Sequence, residues 1–326
     1  MDAHRIRSAD LGDLDLSVTR IDMASRAIDP VFRDTPQYVD EQLCAALGRR
    51  VIVKVETANP LRSFKGRGAD FLLGRRTDAR HVVCVSTGNF GQGIAYAARA
   101  RGIAAEIFAP AGVNPSKLDR IRSLGATVIE VAAGRSAKEA AAEHVAAHPD
   151  CTLIEDGREP EIAEGAGTIA VELLRGERPD AIVVPLGDGA LITGMARWVK
   201  EFDPDIRVIG VCATGAPAML HSYRAGHPVA TDRADTIAEG IHVTIPVPES
   251  VARLTRLVDD VLPVTDSAML GAMHLAATTL GLILEPSGAA GLAAIANHDI
   301  PGATLATILT GSNAHSTHLS ALLDPH

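Results

Sequence analysis

Three times in this 326-residue chain a short apolar run breaks into a glycine-rich turn, and this recurring junction narrows the possible folds more than any other feature. His81-Val82-Val83-Cys84-Val85 leads into Ser86-Thr87-Gly88-Asn89-Phe90-Gly91-Gln92-Gly93, and Ala181 to Leu186 leads into Gly187-Asp188-Gly189-Ala190-Leu191-Ile192-Thr193-Gly194. Thr304 to Leu309 leads into Thr310-Gly311-Ser312-Asn313. Apolar runs this short, bounded by turn residues, suit strands covered on both faces. Between them lie segments of helical periodicity, so an α/β fold with mostly parallel strands is expected.

The remaining segments extend the alternation. Arg49 to Glu56, Ala104 to Ala109, Thr127 to Val131, Cys151 to Ile154 and Val208 to Ala213 read as strands. Helices are expected over Tyr38 to Leu47, Gly68 to Arg76, Ile94 to Arg101, Ser116 to Leu124, Ser136 to Ala147, Gly167 to Arg175 and Ala268 to Leu280. Two more open at Glu285 and around Trp198, and residues 1 to about 50 read as an outer layer. Aromatic residues make up only 3% of a chain that is 47% hydrophobic, so the core has to be built from Ala, Val, Ile and Leu packed closely around a sheet. At this length two domains are expected.

Charge and motif spacing remove several classes of function. A net charge of −9 and a pI near 5.7 argue against a nucleic-acid partner, whose phosphates need a basic face. No apolar run is long enough to span a bilayer, and the chain reads as soluble and cytoplasmic. Cys44, Cys84, Cys151 and Cys212 are scattered, as suits reduced core thiols. No Gly-Lys-Ser/Thr, His-Glu-x-x-His or Gly-x-Ser-x-Gly occurs, which removes the P-loop, the common zinc hydrolase and the usual nucleophile elbow. His144 and His148 stand one helical turn apart without a third metal ligand in view, so no metal site is expected.

What remains is a lysine and a set of anion cradles. In Asn59-Pro60-Leu61-Arg62-Ser63-Phe64-Lys65-Gly66-Arg67-Gly68-Ala69-Asp70, one lysine lies between an aromatic ring and a glycine where a loop gives way to a helix. Partial desolvation by Phe64 and repulsion from Arg62 and Arg67 would make Lys65 a reactive amine, although the same residues also suit a basic surface loop. A strand, glycine turn and helix N-terminus present free backbone N–H groups that favour an anion. A lysine with a phosphate cradle suits a phosphorylated aldehyde, and pyridoxal phosphate fits both requirements.

Ser63-Phe64-Lys65-Gly66-Arg67-Gly68, Ser86-Thr87-Gly88-Asn89, Glu164-Gly165-Ala166-Gly167-Thr168-Ile169-Ala170, Gly187-Asp188-Gly189-Ala190-Leu191 and Glu285-Pro286-Ser287-Gly288-Ala289 follow one another in the order found in fold-type II pyridoxal phosphate enzymes. Over roughly residues 50 to 315 the chain resembles the threonine and serine dehydratases and serine racemase. The resemblance implies the tryptophan-synthase-β-like architecture of two open, mostly parallel sheets flanked by helices. Residues 1–78 and 160–326 would form the large cofactor-binding domain, and 79–159 a small substrate-clamping domain. It implies that Lys65 is the Schiff-base lysine and moves the α-proton, with Phe64 beside it, and that Asn89 bonds the ring hydroxyl. Gly187, Asp188, Gly189, Ala190 and Leu191 would hold the phosphate, Thr310 would face the pyridine nitrogen, and Glu285 would belong to the cofactor site. Ser86, Thr87, Gly88, Asn89 and Phe90 would hold the substrate carboxylate.

The implied reaction is β-elimination on a β-hydroxy or otherwise β-substituted amino acid, giving a 2-oxo acid and ammonia. The alternatives are β-replacement, as in cysteine or threonine synthesis, an amino-acid racemase, or a non-catalytic pyridoxal phosphate binder. A homodimer is expected. Several positions depart from the family pattern. Thr87 is bulkier than the second catalytic serine of serine racemase, and Val211-Cys212-Ala213 replaces its metal-site Val-Glu-Pro, so no divalent ion is expected there. A carboxylate 4–6 Å from a phosphate costs on the order of 1–4 kcal/mol, so Asp188 is expected to point away from it. Arg62 stands where relatives carry glycine and Arg158 where they carry uncharged residues facing the substrate. Pointing inward, either would favour a second acidic group on the substrate over threonine's methyl; pointing outward, both are solvated surface residues.

Overall fold

The computed structural model describes Leu11 and residues 13–323. In chain order its elements are α1 (Val18–Ala27), β1 (Gln37–Val39), α2 (Glu41–Leu47), β2 (Arg50–Val55), α3 (Lys65–Arg75), β3 (His81–Cys84), α4 (Asn89–Arg99), β4 (Ala104–Pro110), α5 (Pro115–Ser123), β5 (Thr127–Val131), α6 (Ala137–Ala147) and β6 (Cys151–Ile154). The chain continues with α7 (Pro160–Leu173), β7 (Ala181–Pro185), α8 (Ala190–Phe202), β8 (Arg207–Ala213), α9 (Ala218–Ala225), α10 (Pro248–Leu257), β9 (Asp260–Val264), α11 (Asp266–Leu275), α12 (Pro286–Asn297), β10 (Thr304–Leu309) and α13 (Ser316–Leu323).

The strands form two sheets. One runs β1-β2-β10-β7-β8-β9, with β1 antiparallel to β2 and the other pairs parallel; the other runs β5-β4-β3-β6 and is parallel throughout. The continuous apolar runs have the expected cause. Every residue of β7 is buried, with Ile182 and Val184 entering one hydrophobic core and Ala181 and Val183 the other. A strand with cores on both faces has no polar side to show, and each fully buried Val or Ile contributes ~1.5–3 kcal/mol.

Element boundaries depart from the sequence expectations where capping or tertiary pairing decides. Gln37–Val39 pairs with β2, so Tyr38 and Val39 lie in a strand, and α2 starts one residue after its N-cap Asp40 and ends at Gly48 in the left-handed region. Helix α3 begins at Lys65 itself, α4 at Asn89 and α7 at Pro160. The expected Ala268–Leu280 helix changes after Leu275 into a wider π-turn over Ala276–Leu280. Of the outer layer expected over residues 1 to about 50, residues 1–10 and 12 lie outside the described residues. All four cysteines are free thiols, and Cys84, Cys151 and Cys212 are buried. Among the described residues no helix is long and apolar enough to cross a membrane, and no group of three or more His, Cys, Asp or Glu side chains could hold a metal.

Candidate active site

Both sheets end toward one cavity of about 1150 Å³. Its walls come from the segments that leave the carboxyl ends of parallel strands, where open α/β sheets place ligands. The loop after β2 supplies Lys65, the turn after β3 supplies Ser86 to Phe90, β6 is followed by Asp156, β7 by Gly187 to Leu191, and β10 by Thr310.

Lys65 is the first residue of α3, and its Nζ lies 4.9 Å from the centre of the Phe64 ring and 5.6 Å from that of Phe90. The aromatic shielding expected from Phe64 is therefore joined by a second ring. The charges differ from expectation. Arg67 turns away, fully buried, and binds Glu56 and Glu172; the charged partner of Lys65 is Asp156, whose carboxylate accepts a hydrogen bond from Nζ. A guanidinium buried this deeply needs carboxylates within reach, and those lie behind α3 rather than in the cavity. Arg62, a non-glycine residue at φ +53°, does line the cavity, together with Arg120, whose pKa is lowered by burial and by Arg62.

The lysine loop is fastened to the turn after β10. Phe64 N donates to Thr310 O at 3.1 Å and Ser312 N to Arg62 O at 2.9 Å. Asn89 Nδ2 donates to Glu285 Oε1 at 2.7 Å, and Ser287 Oγ and Asn313 N donate to the same carboxylate at 3.0 and 3.1 Å. Burial raises the Glu285 carboxyl against the pull of these three donors. Asn89, Glu285 and Thr310, far apart in sequence, are thus brought to one wall.

The Gly187–Ala190 turn is a cradle without room for side chains. A Cβ on Gly187 would lie 2.7 Å from Gly240 O, and Gly189 has φ +94° with Ser250 Oγ 2.1 Å from where its Cβ would be. Behind the turn α8 begins at Ala190, so its free N–H groups face the cavity. This shape and polarity fit a phosphate, and the lysine opposite fits an aldehyde, so the residues present suit pyridoxal phosphate. Asp188 also lines the cavity; the charges acting on its carboxyl are Asp156, Lys65, Lys138 and Glu155, and loss of water together with Asp156 pushes its pKa up to about 6.

Ser86, Thr87, Gly88, Asn89 and Phe90 all line the cavity, and a Cβ on Gly91 would lie 2.0 Å from Ser86 O, which keeps the N-terminus of α4 tight against the turn. Arg158 is not among the lining residues. Gly157, at φ +81°, turns the chain there, and Arg158 lies half-exposed against Glu155 at 3.1 Å and Glu249 at 3.7 Å. Gln92 and Asp156 line the cavity without having been singled out from the sequence. Gln92 is 3% exposed and its Oε1 has no hydrogen-bond partner. Register could have found Asp156. Cys84 pairs with Ile154, so Ser86 and Asp156, each two residues beyond, leave neighbouring strands side by side.

The family described as "Pyridoxal-phosphate dependent enzyme" matches residues 28–311. The biosynthetic L-threonine dehydratase of Mycobacterium leprae is 37% identical over 311 residues, covering 91% of this chain and 72% of that one. Among solved structures, the threonine deaminase of T.th. superposes with a TM-score of 0.86 at 31% identity, covering 92% of this chain and 99% of that one. Maize serine racemase superposes with a TM-score of 0.87 at 28% identity, covering 95% and 98%.

Proposed function

The chain belongs to the pyridoxal-phosphate dependent enzymes, and from that premise we propose that its cavity performs β-elimination on a β-hydroxy or otherwise β-substituted amino acid, giving a 2-oxo acid and ammonia. The observation that carries this reading is the meeting of Lys65, the Gly187–Ala190 turn and Asn89 in one cavity. Its similarity to threonine dehydratases and threonine deaminase supports a lyase of the threonine/serine ammonia-lyase type.

When bound, pyridoxal phosphate supplies the aldehyde that captures an amino group and the ring that draws electrons from the α-carbon. The rest falls to residues of this chain. Gly187, Asp188, Gly189, Ala190 and Leu191 hold the phosphate through backbone N–H groups and the N-terminus of α8. Phe64 flanks Lys65, Thr310 meets the ring nitrogen with a hydroxyl, and Asn89, oriented by Glu285, holds the ring oxygen. Ser86, Thr87, Gly88, Asn89 and Phe90 hold the substrate carboxylate. Lys65 Nζ is the base that takes the α-proton, and the two aromatic rings beside it exclude water from that atom. Residues 79–159 act as the part that clamps substrate against residues 1–78 and 160–326. The enzyme works as a cytoplasmic homodimer in this reading, and light scattering in solution tests the association.

The experiment is 2-oxo acid release from a panel of β-substituted amino acids, with and without an added thiol, in the parent and in Lys65→Ala. Release that needs no thiol and is lost in the variant is expected, with borohydride fixing the cofactor to a peptide containing Lys65. Labelling of another peptide, or product only in the presence of a thiol, would overturn the assignment.

A further inference from the structure

The cavity is electrically divided. Arg62 and Arg120 both line it, close enough for Arg62 to lower the Arg120 pKa while Glu285 acts on Arg120 in the opposite sense. Asp156 and Asp188 stand at one wall, against Lys65. The arrangement of the two carboxylates is built. Gly157 brings the two turns together: a Cβ there would lie 2.7 Å from Asp188 O and 3.1 Å from Asp188 Cβ. Helix α10 fixes both turns from behind, with Arg253 donating to Gly157 O at 3.0 Å and to Arg158 O at 2.8 Å, and Ser250 Oγ donating to Asp188 O. Arg253 is itself buried and held by Asp15, so the turn carrying Asp156 is firmly placed.

One cation serves these two anions from within the cavity. Lys65 binds Asp156, whose other oxygen accepts from Gly157 N at 3.1 Å. Lys138 is 61% exposed and pairs with Glu155 at 3.5 Å. Among the described residues no hydrogen bond reaches the Asp188 carboxylate, and loss of water first, then the neighbouring Asp156 charge, pushes its pKa up to about 6. Two enclosed carboxylates against one ammonium leave a net negative wall, and a partly dehydrated carboxylate without a donor is unfavourable until one arrives.

Resting on the elimination reading above, we propose that Asp156 and Asp188 select amino acids bearing a second ammonium group on or next to the β-carbon, in place of threonine's methyl. Arg158, one of the two arginines that would have received an acidic side-chain group, faces away from the cavity, and the guanidiniums that do line it, Arg62 and Arg120, are not among the charges acting on Asp188. With 2,3-diaminopropionate the balance is plain: the α-proton and the β-amino group leave as ammonia, water replaces the α-amino group, and one molecule of substrate plus one of water gives pyruvate and two of ammonia.

The test has a binding arm and a turnover arm, both on the holoenzyme. Calorimetry compares 2,4-diaminobutyrate with 2-aminobutyrate, which has the same carbon skeleton, no second charge and no leaving group at the β-carbon in either case. The diamino acid should bind at least ~10-fold more tightly, the factor one charge-assisted hydrogen bond carries. Asp156→Asn should shrink that preference while retaining the cofactor's absorbance, and Asp188→Asn, measured at saturating cofactor because its backbone belongs to the phosphate cradle, should shrink it as well. In turnover, kcat/KM for 2,3-diaminopropionate should exceed that for L-threonine, and 3-hydroxyaspartate should be poorest. Equal binding of the two analogues by the parent protein, or threonine preferred in turnover, overturns the selection and leaves elimination standing. No 2-oxo acid from any substrate overturns elimination, and the binding comparison then still decides whether the wall selects a cation.

Discussion

Two residues after Lys65, Arg67 does work that its charge alone would not suggest. It is fully buried, with Nε 2.8 Å from Glu56 Oε2 and Nη1 2.7 Å from Glu172 Oε1, and Lys54 Nζ lies 2.7 Å from the same Glu172 carboxylate. Removing the arginine leaves two carboxylates buried behind α3, so Arg67→Met should destabilise the protein by ~3–5 kcal/mol, read from urea unfolding at pH 7. An unchanged urea midpoint would show the network to be neutral. Burial works to raise the Glu172 carboxyl, but Arg67 and Lys54 outweigh it and hold its pKa at about 2, against 4.5 when unfolded. A carboxyl whose folded pKa is depressed stabilises above the unfolded value and loses that contribution as pH falls toward the folded one. Stability should therefore drop between pH 4.5 and pH 2 in the parent, with a shallower drop over that window in Arg67→Met. Asp156 shows the limit of reading residues one at a time: nothing in Glu155-Asp156-Gly157 marks it until β6 is placed beside β3.

Helices α7 and α8 are the elements that aim the two turns. The segment before α7 carries Asp156 and Gly157, and the N-terminus of α8 carries the Gly187–Ala190 cradle. Their contact is backbone against backbone, since a Cβ on Gly194 would lie 1.8 Å from Ala163 O and one on Gly167 2.7 Å from Gly194 O. No side-chain movement relieves a clash with a carbonyl. Gly194→Ala should force the helices apart at ~1–3 kcal/mol, and should weaken cofactor retention as well, because both turns ride on them. Thermal unfolding and cofactor release on dilution measure the two effects. A variant less stable but equally retentive would separate packing from site geometry. The glycines were legible in the sequence as part of a motif, whereas their reason, a helix crossing too close for any side chain, belongs to the packed pair.

At the scale of the whole molecule, a ligand that touches the ends of both sheets ties them together. Stripping the cofactor from the holoenzyme should therefore lower Tm by several degrees, at ~2–4 °C per kcal/mol of lost binding energy, and reloading should restore it. An unchanged Tm would mean that the bound cofactor does not stabilise the native fold. The chain by itself determined the α/β class, the strand cores, the turns and the cofactor they suit, and marked Lys65 as a candidate, because burial on both faces and helix N-termini leave local patterns of apolar runs and glycine. Ser86 to Phe90, Gly187 to Leu191, Glu285 and Thr310, each marked by its motif, all line one cavity. Tertiary structure alone decided which charges meet. It turned Arg67 inward to Glu56 and Glu172, set Arg158 outward against Glu155 and Glu249, and brought Asp156 and Asp188 to Lys65. The direction of a charged side chain depends on which counter-charges and strand ends come near it from distant parts of the chain, and no local pattern records that.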